Sequence, residues 1–151
     1  MYETLEIVRD GGVATLWMNR PDVHNAFNEQ LIAELTAACS QLDADDTVRV
    51  VVLAGRGKSF SAGADLNWMK RAGNASVEEN IEDARKLAGM LRTLAEMTKP
   101  TIARVHGAAL GGGMGLASAC DICIAGEGAV FATSEVRFGI IPSAISPYVI
   151  R

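Results

Sequence analysis

The chain has 151 residues, of which 49% are hydrophobic and 21% are charged, and its formal net charge is −4. This length and composition are typical of a globular domain with one hydrophobic core, and the mildly acidic charge gives no attraction to nucleic acid or to an anionic membrane. No apolar run is long enough to cross a bilayer and the first residues do not resemble a signal peptide, so we expect a cytoplasmic protein.

The first third of the chain predicts a β-hairpin followed by a strand–helix–strand unit. Strand-like runs at residues 5–9 and 13–18 flank the turn signal Asp10-Gly11-Gly12. Apolar side chains at helical spacing predict a helix over residues 28–42. The aliphatic run at residues 48–53 predicts a strand that is covered on both faces, as in a parallel sheet.

Two polar loops in this part of the chain carry candidate ligand-binding side chains. Arg56 and Lys58, in the glycine-rich loop at residues 55–59, either contact phosphate groups of a ligand or remain solvated. His24, in the loop at residues 22–27, poses the same alternative between a binding residue and a solvated surface histidine.

The middle of the chain predicts two helices with defined starts. Asp65 is expected to cap a short helix that begins just after it. Ser76 and Glu79 have the spacing of a capping box, which predicts a second helix from this point to about residue 97. Its apolar residues recur at helical spacing, at positions 77, 81, 84, 88, 91 and 95.

A glycine-rich stretch follows a buried strand at residues 101–105. Gly111, Gly112 and Gly113 allow a sharp bend and close approach of the backbone, and a helix is predicted to start near Met114. Free N–H groups at a helix N-terminus favour an anion, or an oxygen that becomes negative during a reaction. The stretch matches neither the phosphate-loop pattern nor Gly-x-Gly-x-x-Gly. Its glycines could also serve only close packing of helix and strand.

The last third predicts strands at residues 121–125 and 129–132, then a turn or short helix at residues 133–138. Cys120 and Cys123 have C-x-x-C spacing, but the chain has no second such pair, and its third cysteine, Cys39, is distant in sequence. We interpret Cys120 and Cys123 as small buried residues and predict no metal site.

Three segments, at residues 60–66, 99–122 and 131–142, resemble in sequence and order the signature of the crotonase, or enoyl-CoA hydratase/isomerase, superfamily. The resemblance runs from Ile7 to Arg151. It implies an α/β fold of the crotonase type, a right-handed ββα spiral. Members of the superfamily have about 250 residues. We therefore expect residues 1–151 to form one N-terminal core domain whose C-terminal helical part is missing.

The resemblance also implies roles for individual residues. The backbone N–H groups of Ala64 and Gly112 would stabilise the enolate oxygen of an acyl-CoA thioester, and the Glu135 carboxylate would transfer the proton. The implied substrate-binding residues are Ala62, Gly63, Ala64, Asp65, Leu66, Gly111, Gly112 and Gly115. Coenzyme A is part of the substrate, so no separate cofactor is expected, and the likeness implies a homotrimer or a dimer of trimers.

Gly115 is the main departure from the superfamily pattern, because hydratases that use two carboxylates carry a glutamate at this position. The segments around the glycines and after Phe138 resemble the bacterial methylglutaconyl-CoA and isohexenylglutaconyl-CoA hydratases of leucine and isoprenoid degradation. This likeness implies hydration of a branched 2-enoyl-CoA. One alternative is a Δ3,Δ2-enoyl-CoA isomerase that uses Glu135 alone, and another is a non-catalytic CoA-binding homologue.

Overall fold

The computed structural model describes residues 2–150, so Met1 and Arg151, the ends of the predicted domain, lie outside the described residues. The strands are β1 (Leu5–Asp10), β2 (Val13–Met18), β3 (Val50–Gly55), β4 (Thr101–Val105), β5 (Ala108–Leu110), β6 (Ile122–Ala125) and β7 (Val130–Ala132). The α-helices are α1 (Glu29–Asp43), α2 (Leu66–Ala72), α3 (Val77–Ala95), α4 (Gly112–Ala119) and α5 (Ser146–Val149). Short 3₁₀ helices cover Pro21–Val23 and Ser134–Phe138.

The larger sheet has five strands in the order β1-β2-β3-β4-β6. β1 and β2 form the predicted antiparallel hairpin, and the remaining neighbours are parallel. Leu16 of β2 pairs with Leu53 of β3, and Leu53 pairs with Ala103 of β4. In each of these parallel pairs, the chain passes through at least one helix between the two strands. The loops after these parallel strands therefore gather at one edge of the sheet, where α/β proteins place their sites.

A second, two-stranded sheet pairs β5 with β7 in parallel. Isolated bridges between Phe27 and Ala64 and between Ser61 and Ala109 join the neighbouring loops to it. The sequence predicted only a bend at β5, because three residues carry little local signal. The strand exists because Ala108–Leu110 finds a partner in β7, beyond the intervening α4 helix.

The core lies between the larger sheet and helices α1, α3 and α4. Asn28 caps α1, since its side-chain oxygen accepts a hydrogen bond from Leu31 N–H at 2.9 Å. The largest fully buried side chains are Phe27, Phe60, Leu16, Met18, Leu31, Leu35, Leu42, Leu53, Met90, Leu91, Leu116 and Val51. No helix among residues 2–150 combines the length and the apolar character that a membrane span requires.

The predicted apolar stripe of α3 is only partly buried. Leu91 is buried and Ala95 is half-buried, whereas Val77, Ile81, Ala84 and Ala88 are exposed. The buried side chains of the helix are Met90, Leu91 and Leu94, so the periodicity predicts the helix correctly but not which of its faces residues 2–150 cover. The capping box of Ser76 and Glu79 is present as predicted, and the helix ends at Ala95, two residues earlier than expected.

The prediction that Cys120 and Cys123 are buried is correct for Cys120 and wrong for Cys123. Cys39 and Cys120 are buried, and burial raises the pKa of each thiol to about 12. Cys123 is exposed because it lies on β6, at the edge of the sheet. All three thiols are free.

Candidate active site

A cavity of about 790 Å³ opens beside the N-terminus of α4. Its wall comes from residues between 23 and 27, between 62 and 70, between 110 and 112 and between 134 and 145, with two contacts from α3. Most of the wall is apolar. The predicted site residues that border this cavity are Ala62, Ala64, Asp65, Leu66, Gly111, Gly112 and Glu135.

The N–H of Ala64 is oriented by a β-bridge, in which Phe27 forms backbone hydrogen bonds with the residues on either side of Ala64. Phe27 N–H donates to Gly63 O at 2.6 Å, and Asp65 N–H donates to Phe27 O at 2.8 Å. Because successive peptide groups of an extended segment point to opposite sides, the intervening Ala64 N–H points away from Phe27. It has no hydrogen-bond acceptor among residues 2–150.

The second N–H belongs to Gly112, the first residue of α4. N–H groups of the first helical turn have no partner within the helix, and that of Gly112 has none elsewhere in the described part of the chain. Gly111 makes the bend before it with φ 51°, which favours glycine. A Cβ on Gly63 would lie 3.3 Å from Gly112 N and 2.7 Å from Leu110 O, so the two loops touch through backbone atoms.

Glu135 supplies an unpaired carboxylate next to this pair of donors. It is half-buried at the start of the second 3₁₀ helix, and its Oε2 atom is buried without a hydrogen-bond partner within residues 2–150. Its Oε1 atom would lie 3.1 Å from a Cβ on Gly111, so only glycine leaves this space open. A buried acceptor without a partner is costly, and such groups in native structures often serve catalysis.

Gly115, a predicted substrate-binding residue, does not border the cavity. It is buried in α4, and a Cβ at this position would lie 2.2 Å from Cγ2 of Ile145. Ile145 therefore covers Gly115 and itself forms part of the cavity wall. Gly63 also does not border the cavity. Its φ of 87° instead turns the loop that carries Ala64.

Asp65 caps α2 as predicted, because its Oδ1 accepts from Asn67 N–H at 2.8 Å. Its Oδ2 forms an ion pair at 3.0 Å with Arg20, which lies 45 positions earlier and which no local motif connects to Asp65. Burial raises the Asp65 pKa, but the hydrogen bonds from Arg20 and from the α2 backbone outweigh it, so the pKa lies below its ordinary value. Asp65 is therefore a charged structural anchor at the cavity rim.

The three candidate residues in the polar loops have different outcomes. His24 borders the cavity, with Nδ1 3.1 Å from Ser59 Oγ. Arg56 is instead held by Glu6 at 2.7 Å and stacks 3.8 Å from the centre of the Trp17 ring, away from the cavity. Lys58 is exposed and does not border the cavity.

Two cations at the cavity were missed by the sequence reasoning. Lys70 in α2 and Arg137 in the second 3₁₀ helix both contribute to the wall. Neither forms an ion pair with any of the described residues. Nothing in the local sequence marks a surface lysine or arginine as a binding residue, even though Arg137 lies only two positions after Glu135.

Two unpartnered N–H groups and one unpartnered carboxylate oxygen around an apolar cavity form an arrangement that can stabilise a developing oxyanion and accept a proton. The comparisons with known proteins agree with this chemistry. The family model for enoyl-CoA hydratase/isomerase matches residues 8–151. The solved structure of an enoyl-CoA hydratase from Shewanella pealeana superposes with a TM-score of 0.95 at 43% identity, over 99% of this chain and 56% of that one.

Relatives with other activities match over the same region. A peroxisomal Δ(3,5)-Δ(2,4)-dienoyl-CoA isomerase of Arabidopsis thaliana is 37% identical over 93% of this chain and 55% of its own length. The 4-chlorobenzoyl coenzyme A dehalogenase-2 of an Arthrobacter species is 34% identical over 95% and 52%.

The chain belongs to the enoyl-CoA hydratase/isomerase family, and its α/β fold is that of the crotonase structures, as predicted. It spans little more than half the length of the relatives named here.

Proposed function

We propose that this site hydrates a branched 2-enoyl-CoA whose acyl tail ends in a carboxylate, such as 3-methylglutaconyl-CoA or isohexenylglutaconyl-CoA. The observation that carries the proposal is the unpaired, buried Oε2 of Glu135 beside the two free N–H groups. The protein would act as a hydro-lyase in the cytoplasm, as a homotrimer or a dimer of trimers, with no cofactor beyond the CoA of its substrate.

The thioester oxygen would accept hydrogen bonds from Ala64 N–H and Gly112 N–H. Addition of water to the double bond places negative charge on this oxygen as the enolate forms, and loss of one such donor costs about 3 kcal/mol of transition-state stabilisation. Glu135 would take a proton from the attacking water and return a proton to the α-carbon. Both transfers involve atoms near the enolate, so one carboxylate can serve both in sequence.

The two cations of the cavity wall support a substrate with a distal negative charge. Lys70 and Arg137 lie in separate elements that border the cavity, and neither forms an ion pair with a carboxylate of residues 2–150. The carboxylate of a glutaconyl-type tail would form an ion pair there. A straight-chain apolar tail would leave both cations without a partner.

The covering of Gly115 by Ile145 favours a second candidate, a Δ3,Δ2-enoyl-CoA isomerase. Glu135 is then the single carboxylate at the enolate, and moving a proton between the α- and γ-carbons needs one base and no water. A peroxisomal dienoyl-CoA isomerase among the relatives is consistent with this chemistry in the family.

Incubation with each substrate class in H₂¹⁸O and in D₂O separates the candidates. Incorporation of ¹⁸O into the 3-hydroxyacyl-CoA formed from 3-methylglutaconyl-CoA supports hydration, whereas a deuterated 2-enoyl-CoA formed from a 3-enoyl-CoA without ¹⁸O supports isomerisation. Neither label would appear with a protein that only binds CoA esters, and that result would overturn both proposals.

Glu135→Gln provides the matching variant, because the amide keeps the shape of the side chain but accepts no proton. We expect turnover to fall by about 10²–10⁴-fold. The Kd for a saturated acyl-CoA should change little. If the variant keeps more than a tenth of the wild-type kcat, Glu135 is not the principal base.

A further inference from the structure

Arg20 connects the two sides of the bridge that presents Ala64. One arm of its guanidinium, Nη2, contacts Asp65 Oδ2 at 3.0 Å, immediately after Ala64. The other arm, Nη1, donates to the carbonyl of Ala26, immediately before Phe27. The Arg20 and Asp65 side chains are only 18% and 10% exposed, so water screens the pair weakly.

The Asn25 side chain connects Arg20 to the loop at residues 56–60 through hydrogen bonds. This residue is fully buried with φ 54°, a conformation that asparagine adopts more readily than most residues. Its Oδ1 accepts from Arg20 N–H at 2.8 Å. Its Nδ2 donates to the carbonyls of Arg56, Ser59 and Phe60 at 2.8–3.2 Å. The loop at residues 20–27 is thus fixed to the segment that leads into Ala64.

We propose that Arg20 is a positioning residue that sets the direction of the Ala64 N–H through Ala26 on one side and Asp65 on the other. The inference rests on the proposed function in taking this N–H as a donor to the thioester oxygen. A guanidinium can hold two acceptors in one plane because its N–H groups form a rigid fork. A lysine ammonium at this position could satisfy one acceptor but not fix both.

The decisive variant is Arg20→Lys, tested with ligands that differ only at the oxygen in question. A saturated acyl-CoA has the thioester carbonyl, and the corresponding S-alkyl-CoA thioether lacks it. We expect Arg20→Lys to weaken thioester binding by about two- to tenfold, the value of one hydrogen bond. Thioether binding should stay within about twofold, since the thioether makes no use of that hydrogen bond. The infrared band of a ¹³C-labelled thioester carbonyl should move toward its solution position.

Turnover gives the second readout. We expect kcat to fall by about 10- to 100-fold, less than on full removal of an oxyanion donor, with a small change in KM. Arg71→Lys is the matched control, because Arg71 also holds a carboxylate, Glu29, at 2.8 and 2.9 Å, but on the exposed face of α2. Its kcat should stay within about twofold, as expected for an exposed ion pair.

The outcomes distinguish the inference from the proposed function. If wild-type protein binds thioester and thioether equally, the proposed oxyanion site fails. If wild type shows the preference and folded Arg20→Lys keeps it, or loses affinity for both ligands equally, the positioning role is wrong. Asp65→Asn, which keeps the cap of α2 but removes the charge that Arg20 contacts, makes the same test if Arg20→Lys does not fold.

Discussion

Substitution of Gly115 by alanine tests how closely Ile145 covers this position. The added Cβ would lie 2.2 Å from Ile145 Cγ2 and 2.8 Å from its Cβ. Nonbonded carbons normally stand about 3.5–4.0 Å apart, so Ile145 or α4 must move by more than an ångström. Overpacking of this kind costs about 1–3 kcal/mol. The gain in helix propensity from glycine to alanine, about 0.5–1 kcal/mol, offsets only part of it.

Gly89→Ala is the matched control. Gly89 also lies inside a helix, α3, but a Cβ there meets nothing within 4 Å. It should therefore raise the free energy of unfolding by about 0.5–1 kcal/mol, while Gly115→Ala lowers it. The difference between the two variants isolates the cost of the contact with Ile145. Urea unfolding followed by circular dichroism measures both, provided that the m-value is unchanged.

Truncation of Ile145 to glycine completes a double-mutant cycle with Gly115→Ala. In an Ile145→Gly background, the nearest remaining atom of residue 145 is its Cα, 3.8 Å from the added Cβ. Gly115→Ala should then lose its cost and give a coupling energy of about 1–3 kcal/mol. If Gly115→Ala is as stabilising as Gly89→Ala in the wild-type background, Ile145 does not cover this position. The site would then be open to a second carboxylate.

Three further predictions follow from the described contacts. Gly63→Ala should lower kcat/KM by about 100-fold, because a Cβ at φ 87° and 2.7 Å from a β5 carbonyl oxygen displaces the loop that bears the oxyanion donor. A thiol reagent at pH 8 should modify Cys123 in native protein and all three cysteines in urea, since burial raises the pKa of Cys39 and Cys120 to about 12. Reaction of two or more native thiols would contradict that burial. Burial raises the Glu34 pKa, but hydrogen bonds from Glu3, Thr4 and Gln30 lower it by more, so the folded pKa lies below the unfolded value. At pH 7 the free energy of unfolding of Glu34→Gln should therefore be lower than that of wild type, and this difference should shrink below about pH 4. A difference that stays constant with pH would refute the charge-based reasoning.

Features that depend on residues close in sequence could be predicted. The hairpin turn before Val13 and the capping box of Ser76 and Glu79 join residues at most three positions apart, so their signals survive in a single short window. Asp65 as a helix cap was predicted for the same reason. Of the candidate site, the segments that contain Ala64, Gly112 and Glu135 were predicted from the resemblance to the crotonase superfamily, not from local geometry.

Features that depend on distant residues could not be predicted. Arg20 pairs with Asp65 across 45 positions, and nothing in either local sequence names the other. Gly115 lies outside the cavity wall because Ile145, from a distant segment of the chain, covers it. No helical or strand periodicity encodes this contact. The exposure of Val77 likewise shows that residues 2–150 leave its side chain largely uncovered, since periodicity reports an apolar face but not what covers it.

The order of strands in the larger sheet has a consequence for how the chain folds. Only β1 and β2 pair through a tight turn, whereas each parallel pairing joins strands separated by a crossover, as between Leu53 and Ala103. Such pairings pay the entropy of closing long loops before they gain contacts, and they make folding slow. Ala64 and Gly112 follow different crossovers. The hairpin can thus form early. The N–H groups of Ala64 and Gly112 come close to each other only after the distant parallel strands have paired. We therefore expect any turnover to recover late in refolding.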